Sequence, residues 1–219
     1  MSDLSALYDL RFNEQTGIAK RRAVWRQLCD HFFSRLISPD SAVLDVACGY
    51  GEFINNIRAA RKYAVDLNED ALSHLDPDVT FFHTSATDLS SVPRNEIDTA
   101  FTSNFLEHFR DKEQLDRFLR ELHDVLKPGG RFIILGPNIR YAYREYWDFY
   151  DHYLPLSDLS LVEALALAGF RAEKVIDRFL PFTMNGKAPT ADILVRTYLR
   201  LPLAWKLFGK QFLIVARKA

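Results

Sequence analysis

Three aspartates and two glycines are spaced as a binding site for a cationic ligand would need. Asp45-Val46-Ala47-Cys48-Gly49-Tyr50-Gly51 sets an acid just ahead of a double-glycine turn. Glycines there permit positive φ and let a ligand come close to the backbone. A dinucleotide site wants another glycine, or at least alanine, three residues on, and this chain has Ile54. Asp45 would also repel a pyrophosphate, whereas it suits a positive charge. Asp66 follows in Val65-Asp66-Leu67, where a carboxylate can accept both hydroxyls of a ribose. Asp88-Leu89 could read an adenine, the acid taking the amino group and the leucine packing on the ring face. Each aspartate alone could be a helix cap. Three in succession beside a glycine turn favour a site.

A second constellation lies further along. Residues 138 to 155 hold Tyr141, Tyr143, Tyr146, Trp147, Phe149, Tyr150 and Tyr153, a density unusual in a connection. Such rings can line an acceptor pocket or pack as a lid on a sheet edge. Within the segment stands Asp151-His152. An imidazole with a pKa near neutral is a natural base for a hydroxyl, with Asp151 as its charge neighbour. His152 is the candidate catalytic base, and His108 of Leu106-Glu107-His108 is second, with a structural role as a helix-start residue favoured for it. Cys29 and Cys48 match no metal-ligand spacing and form no disulfide framework, so no metal is expected.

The elements that must carry these residues alternate. A helix over 18–37 places Val24, Leu28, Phe32 and Leu36 on one stripe. Strands are expected at 42–47, 62–67, 79–84, 97–103, 131–136, 172–179 and 211–217, with helices at 52–60, 69–75 and 111–127 among them. This alternation predicts an α/β fold: a doubly wound, mostly parallel sheet that binds ligands at the carboxyl ends of its strands. The whole of 1–219 reads as a single domain. It divides into a helical N-terminal extension (1–40), a ligand-binding core (41–137) and two cap inserts, 138–157 and 179–210. In the second insert, RFLPFTMNGKAPT reads as a loop and 191–210 as a basic amphipathic helix kinked at Pro202. That helix can cover a domain face, join a homodimer or touch a membrane surface.

The chain has 28 Lys and Arg against 29 Asp and Glu, a formal net charge of −1, which disfavours a nucleic-acid partner. No stretch reaches membrane-spanning length and the N-terminus lacks a signal-peptide pattern, so the expected setting is cytoplasmic.

VLDVACGYGEF resembles the first motif of class I S-adenosylmethionine methyltransferases. YAVDLNED is similar to their second, ATDL to their third, SNFLEHF to their fourth, and LHDVLKPGGRFIILGPN to the segment entering their fifth strand. The resemblance implies a Rossmann-like sheet of seven strands, the last antiparallel and inserted next to the sixth, and S-adenosyl-L-methionine as cofactor. Carried over by residue, Gly49 and Gly51 would line the cofactor and Asp66 would hold its ribose. Leu67 and Leu89 would flank the adenine, Asp88 would bond its amino group, and Asn104 would face the methionine part. The expected reaction is O-methylation of a sugar, glycan or secondary-metabolite hydroxyl. N-methylation of a small amine, or a catalytically silent cofactor-binding partner subunit, is the alternative.

Overall fold

The structure is a computed structural model and describes residues 15–182 and 191–219. The first fourteen residues of the expected 1–40 extension, and residues 183–190 of the RFLPFTMNGKAPT loop, fall outside the described residues.

Helix α1 (Gln15–His31) leads through a short 3-10 turn, Phe33–Arg35, into strand β1 (Ala42–Val46). β2 (Arg61–Asp66), β3 (Val79–His83) and β4 (Ile97–Ser103) follow, then α2 (Lys112–Val125) and β5 (Leu126–Pro137). The single turn α3 (Ile139–Ala142) and helix α4 (Asp158–Leu167) precede β6 (Phe170–Ile176). Helices α5 (Asp192–Leu199) and α6 (Pro202–Phe208) separate β6 from β7 (Gln211–Lys218). The seven strands lie in the order β3-β2-β1-β4-β5-β7-β6. β7 runs antiparallel to both neighbours and the other pairings are parallel.

Alternation along the buried strands divides the core into two layers. Phe132 and Ile134 of β5 join Leu115, Phe118, Leu119 and Leu122 of α2 on one face of the sheet. Ile133 and Leu135 join Leu28, Phe32 and Phe33 on the other. There the rings of Phe53 and Phe101 stack at 3.7 Å. The expected apolar stripe of α1 is thus buried or half-buried, although its last residues lie in the 3-10 turn. α2 is closed at its start by Asp111, whose carboxylate accepts from the Gln114 N–H. At its far end Lys218 Nζ donates to the carbonyls of His123 (2.5 Å) and Leu126 (2.8 Å).

Several expected helices are shorter or absent. Residues 49–56 form successive turns instead of an α-helix. Asn55 and Ile57 still donate to the carbonyls four residues back, Gly51 and Phe53, but Asn56 Nδ2 occupies the Glu52 carbonyl at 2.8 Å and its own N–H turns to Phe53, which interrupts the ladder. The expected helix at 69–75 is a 3-10 segment, Glu69–His74. The kink at Pro202 is a full break, with proline opening α6 at its first turn. α5 and α6 pack inward through Val195, Leu199 and Trp205. Ile193, Leu201, Leu203, Leu207 and Phe208 remain exposed. No helix among the described residues is long and apolar enough to cross a membrane.

The chain winds from β1 outward to β3, then returns to β4 on the other side of β1. The switch point therefore lies between the carboxyl ends of β1 and β4, the place where such sheets bind ligands. Thr102 Oγ donates to the Val46 carbonyl at 2.9 Å and ties the two ends together.

Candidate functional site

A cavity of about 650 Å³ opens at that switch point. Two non-glycine residues adopt left-handed backbone at its floor: Ala47 after β1 (φ 58°) and Asn104 after β4 (φ 49°). Such strain gathers at sites that need a particular backbone direction. Gly49 (φ 53°) carries the turn onward, and its N–H donates to Asp66 Oδ2 at 2.8 Å. The other oxygen, Asp66 Oδ1, accepts from the Asn68 N–H at 2.8 Å. The carboxylate at the end of β2 is therefore oriented by two backbone donors and is nearly buried. Burial pushes its pKa up, opposed by the N–H groups of Asn68, Gly49 and Leu67.

Asp45, only 3% exposed, lines the same wall. Burial first, then the neighbouring Glu52 and Asp66, raise its carboxyl well above the usual range. Glu52 is a cavity residue that the sequence reading passed over, since it stood inside an expected amphipathic helix. Arg21 Nε donates to Glu52 at 2.5 Å and its guanidinium stands over the Tyr50 ring. Three acids on one wall, two of them buried, make this end a place for a cation. Asn104 adds a buried amide oxygen with no hydrogen-bond partner, while its Nδ2 donates to Ser103 Oγ at 3.1 Å.

Of the eight residues expected at the ligand, Asp45, Gly49, Asp66, Leu67 and Asn104 line the cavity. Gly51, Asp88 and Leu89 lie outside its wall. Gly51 (φ +71°) faces away: a Cβ there would stand 2.7 Å from Leu75 Cδ2 and 2.9 Å from Asn55 Nδ2. Leu89 is fully buried in the core, so its side chain cannot pack on a ring in the cavity. Asp88 is exposed, and its carboxylate accepts from the Ser90 N–H within a turn, with no helix following it to cap. Between Asp66 and Asp88 the wall is made by Asn68, Thr84, Ser85, Ala86 and Thr87.

The far end of the cavity is built where residues 149–154 dock on the 3-10 turn Leu106–His108 that follows β4. The Glu107 carbonyl accepts from the N–H groups of both Tyr153 (2.8 Å) and Leu154 (3.1 Å). That docking brings Glu107, His108, Asp151 and His152 onto one wall. Asp151, expected as the charge neighbour of His152, also has a partner on the turn after β4. It meets His108, whose Nδ1 lies 2.9 Å from the Asp151 carbonyl and 3.2 Å from its Oδ2. Burial disfavours the His108 cation, but Asp151 and Glu107 outweigh it and raise the pKa. His108 is thus a cavity residue held by an acid, and more than a helix-start residue.

His152 is 7% exposed and sits among rings. Phe149 stacks on it at 4.7 Å, Tyr146 lies at 4.7 Å and Phe182 at 6.3 Å. The aromatic segment therefore has three fates. Phe149 and Tyr153 line the cavity. Tyr146 is buried behind it, donating to the Leu154 carbonyl, and Tyr141 donates to Asp177. Tyr143, Trp147 and Tyr150 face solvent.

Comparison with known proteins agrees with this geometry. A family described as "Methyltransferase domain" matches residues 44–134. A Mycolicibacterium smegmatis protein named "Probable S-adenosylmethionine-dependent methyltransferase" is 30% identical over 145 residues, 63% of this chain and 54% of that protein. A demethylmenaquinone methyltransferase of Symbiobacterium thermophilum is 30% identical over 163 residues, 65% of this chain and 62% of its own. The match thus spans between half and two thirds of the length of these relatives. Among solved structures, a SAM-dependent methyltransferase from Archaeoglobus fulgidus superposes over 99% of this chain and 100% of its own. Its TM-score is 0.66 at 22% identity, a likeness of fold.

Proposed function

We propose that the chain is a class I S-adenosylmethionine-dependent methyltransferase, the family its matched segment resembles, and that it methylates a hydroxyl of a small-molecule or glycan acceptor. The observation that carries this reading is one continuous cavity, with an acidic wall at one end and a histidine–carboxylate cluster at the other.

S-adenosylmethionine is the family's cofactor, and when bound it supplies a methyl group on a cationic sulfur. Several features of this chain fit it. Asp66 presents carboxylate oxygens to the two ribose hydroxyls, already aligned by Gly49 and Asn68. The partnerless Asn104 oxygen can accept from the ammonium of the methionine part. Asp45 and Glu52 favour the positive charges that the cofactor brings, and no phosphate is present to be repelled. Leu67 offers an apolar edge beside Asp66 for the adenine.

The acceptor enters beside Phe149, Tyr153 and Phe182. Rings on that wall exclude water and hold a flat or sugar-like surface. Its hydroxyl loses its proton at the cluster of Glu107, His108, Asp151 and His152 as the oxygen attacks the methyl carbon. The cofactor, when bound, would supply that methyl carbon and keep the electron pair of the carbon–sulfur bond on sulfur. Alignment of oxygen, carbon and sulfur supplies much of the rate.

The test has two parts. Calorimetry should show binding of S-adenosylmethionine and its demethylated product and none of NAD. Transfer of labelled methyl should then be followed across hydroxylated and amine acceptors. His152→Ala should lower turnover by about 10² to 10⁴-fold with cofactor affinity kept. Turnover on amines alone, indifferent to His152, would replace the hydroxyl reading.

A further inference from the structure

The geometry points to a divalent transition-metal site built from Glu107, His108 and His152 at the acceptor end of the cavity. One ligand atom from each lies within 4.8 Å of the others. Two imidazoles and one carboxylate form a donor set suited to zinc, cobalt or iron in the divalent state. Three protein ligands leave further coordination positions open, as catalytic rather than structural sites require. This deepens the hydroxyl-transfer reading and rests on it.

Several independent features support a built site. Glu107 is 3% exposed and His152 7%, so two of the donors are withdrawn from solvent. A buried carboxylate beside two imidazoles gains a strong partner when a cation arrives. The Nδ1–H of His108 donates to the Asp151 carbonyl at 2.9 Å, with the Asp151 carboxylate at 3.2 Å. In the neutral ring that bond fixes the tautomer and leaves the lone pair on Nε2, so a cation binding there displaces the proton of the imidazolium. A carbonyl or carboxylate on the second ring nitrogen is what metal-bound histidines characteristically have. The third ligand is anchored as well, because Tyr153 and Leu154, just after His152, both donate to the carbonyl of Glu107. Tyr146, Phe149 and Phe182 surround His152 with an apolar shell, which lowers the local dielectric and strengthens bonds to a cation. Donors of a tetrahedral ion stand about 3.3 Å apart at bond lengths near 2.0 to 2.1 Å. Donors as far apart as 4.8 Å would therefore close by up to about 1.5 Å on binding.

A cation held here would face the acceptor directly. It would draw electron density from a coordinated hydroxyl and lower its pKa, so the proton would pass to solvent water at neutral pH while both imidazoles serve as ligands. The open positions favour an acceptor with two adjacent oxygens, such as a vicinal diol or a hydroxy-ketone, that can chelate. His108 lies beside Glu107 in sequence but His152 comes 44 residues later, so no short motif announces the set.

The experiment uses the full chain freed of metal by a chelator. Co2+ is titrated while its visible absorption is followed, and binding of the demethylated cofactor is measured on the same samples by calorimetry. The expected result is one equivalent of Co2+ with the intense absorption of four- or five-coordinate cobalt. Glu107→Gln and His152→Asn should each weaken uptake at least about 10-fold, with cofactor affinity retained. Glu107→Gln preserves shape; should that variant not fold, His152→Asn carries the comparison. Cofactor binding without any cobalt spectrum overturns the metal site and leaves methyl transfer standing. Cobalt uptake that ignores both substitutions overturns it too. Cobalt uptake without cofactor binding would instead sink the methyl-transfer reading on which the site's role depends.

Discussion

Replacing Asp66 with asparagine keeps the shape of the side chain and removes its charge, which makes it a clean probe of the cofactor end. In the structure each carboxylate oxygen accepts one backbone N–H at 2.8 Å, from Gly49 and from Asn68. Their remaining lone pairs are free to take the ribose diol. An asparagine offers one oxygen only, and its NH2 faces either a backbone N–H or a ribose hydroxyl. One charge-assisted bond to the ribose is lost, about 1.5 to 3 kcal/mol, and the survivor becomes an ordinary one. The dissociation constant for the demethylated cofactor should rise about 10- to 150-fold. Stability responds less. One N–H is left unsatisfied, at about 1 to 3 kcal/mol, but a carboxylate whose pKa burial had raised is no longer present. Calorimetry gives the affinity and a thermal melt the stability. Unchanged affinity in a folded variant would refute the reasoning and leave Asp66 as a cap of the turn.

Gly51→Ala should lower the melting temperature, because φ of +71° is unfavourable for alanine and the new Cβ would overlap Leu75 and Asn55; a melt equal to that of the unmodified protein would show that the turn relaxes. Asp45→Asn should raise the stability of the cofactor-free protein and weaken cofactor binding. The sign follows from its raised folded pKa: the native state holds the proton longer than the unfolded chain. Stability then falls as pH rises from the ordinary carboxylate range through the folded pKa. Melts across that window should show the decline in the unmodified protein and less of it in the variant, and parallel curves would contradict it. Lys218→Met should cost about 1 to 3 kcal/mol in chemical denaturation, since it leaves the His123 and Leu126 carbonyls without their donor. A cost near zero would mean that water replaces the ammonium.

The sheet was legible because hydrophobic strands separated by turn signals leave few ways to wind a chain, and the position of β7 followed from the resemblance. The glycine turn and Asp66 were legible because their chemistry depends on local spacing. What sequence could not supply was direction and distance. Asp88 and Leu89 have suitable types but the chain turns them away, one to solvent and one into the core. Glu107 stood in the sequence only as the neighbour of His108. Its meeting with His152 depends on residues 149–154 folding back onto the turn after β4, a tertiary contact without a sequence pattern. The helix expected at 52–60 is reduced to turns for a different reason: the Asn56 side chain takes the Glu52 carbonyl that its own N–H would use in a regular helix. Adjacency in sequence put Asp151 beside His152, and only the fold could show that it also reaches His108.

The antiparallel strand carries a consequence for how the molecule is assembled. β7 is the last strand in sequence, yet it lies between β5 and β6 and supplies every ladder that holds β6 to the sheet. Until residues 211–218 have been synthesised, β5 presents an open edge and β6 has nothing to pair with. Such edges invite association with other chains. During synthesis on a ribosome, the half of the sheet that holds the glycine turn can form early, whereas the other half must wait. A nascent chain stalled before residue 211 should therefore be captured by chaperones and cleaved readily in β6, with β1 to β4 already protected.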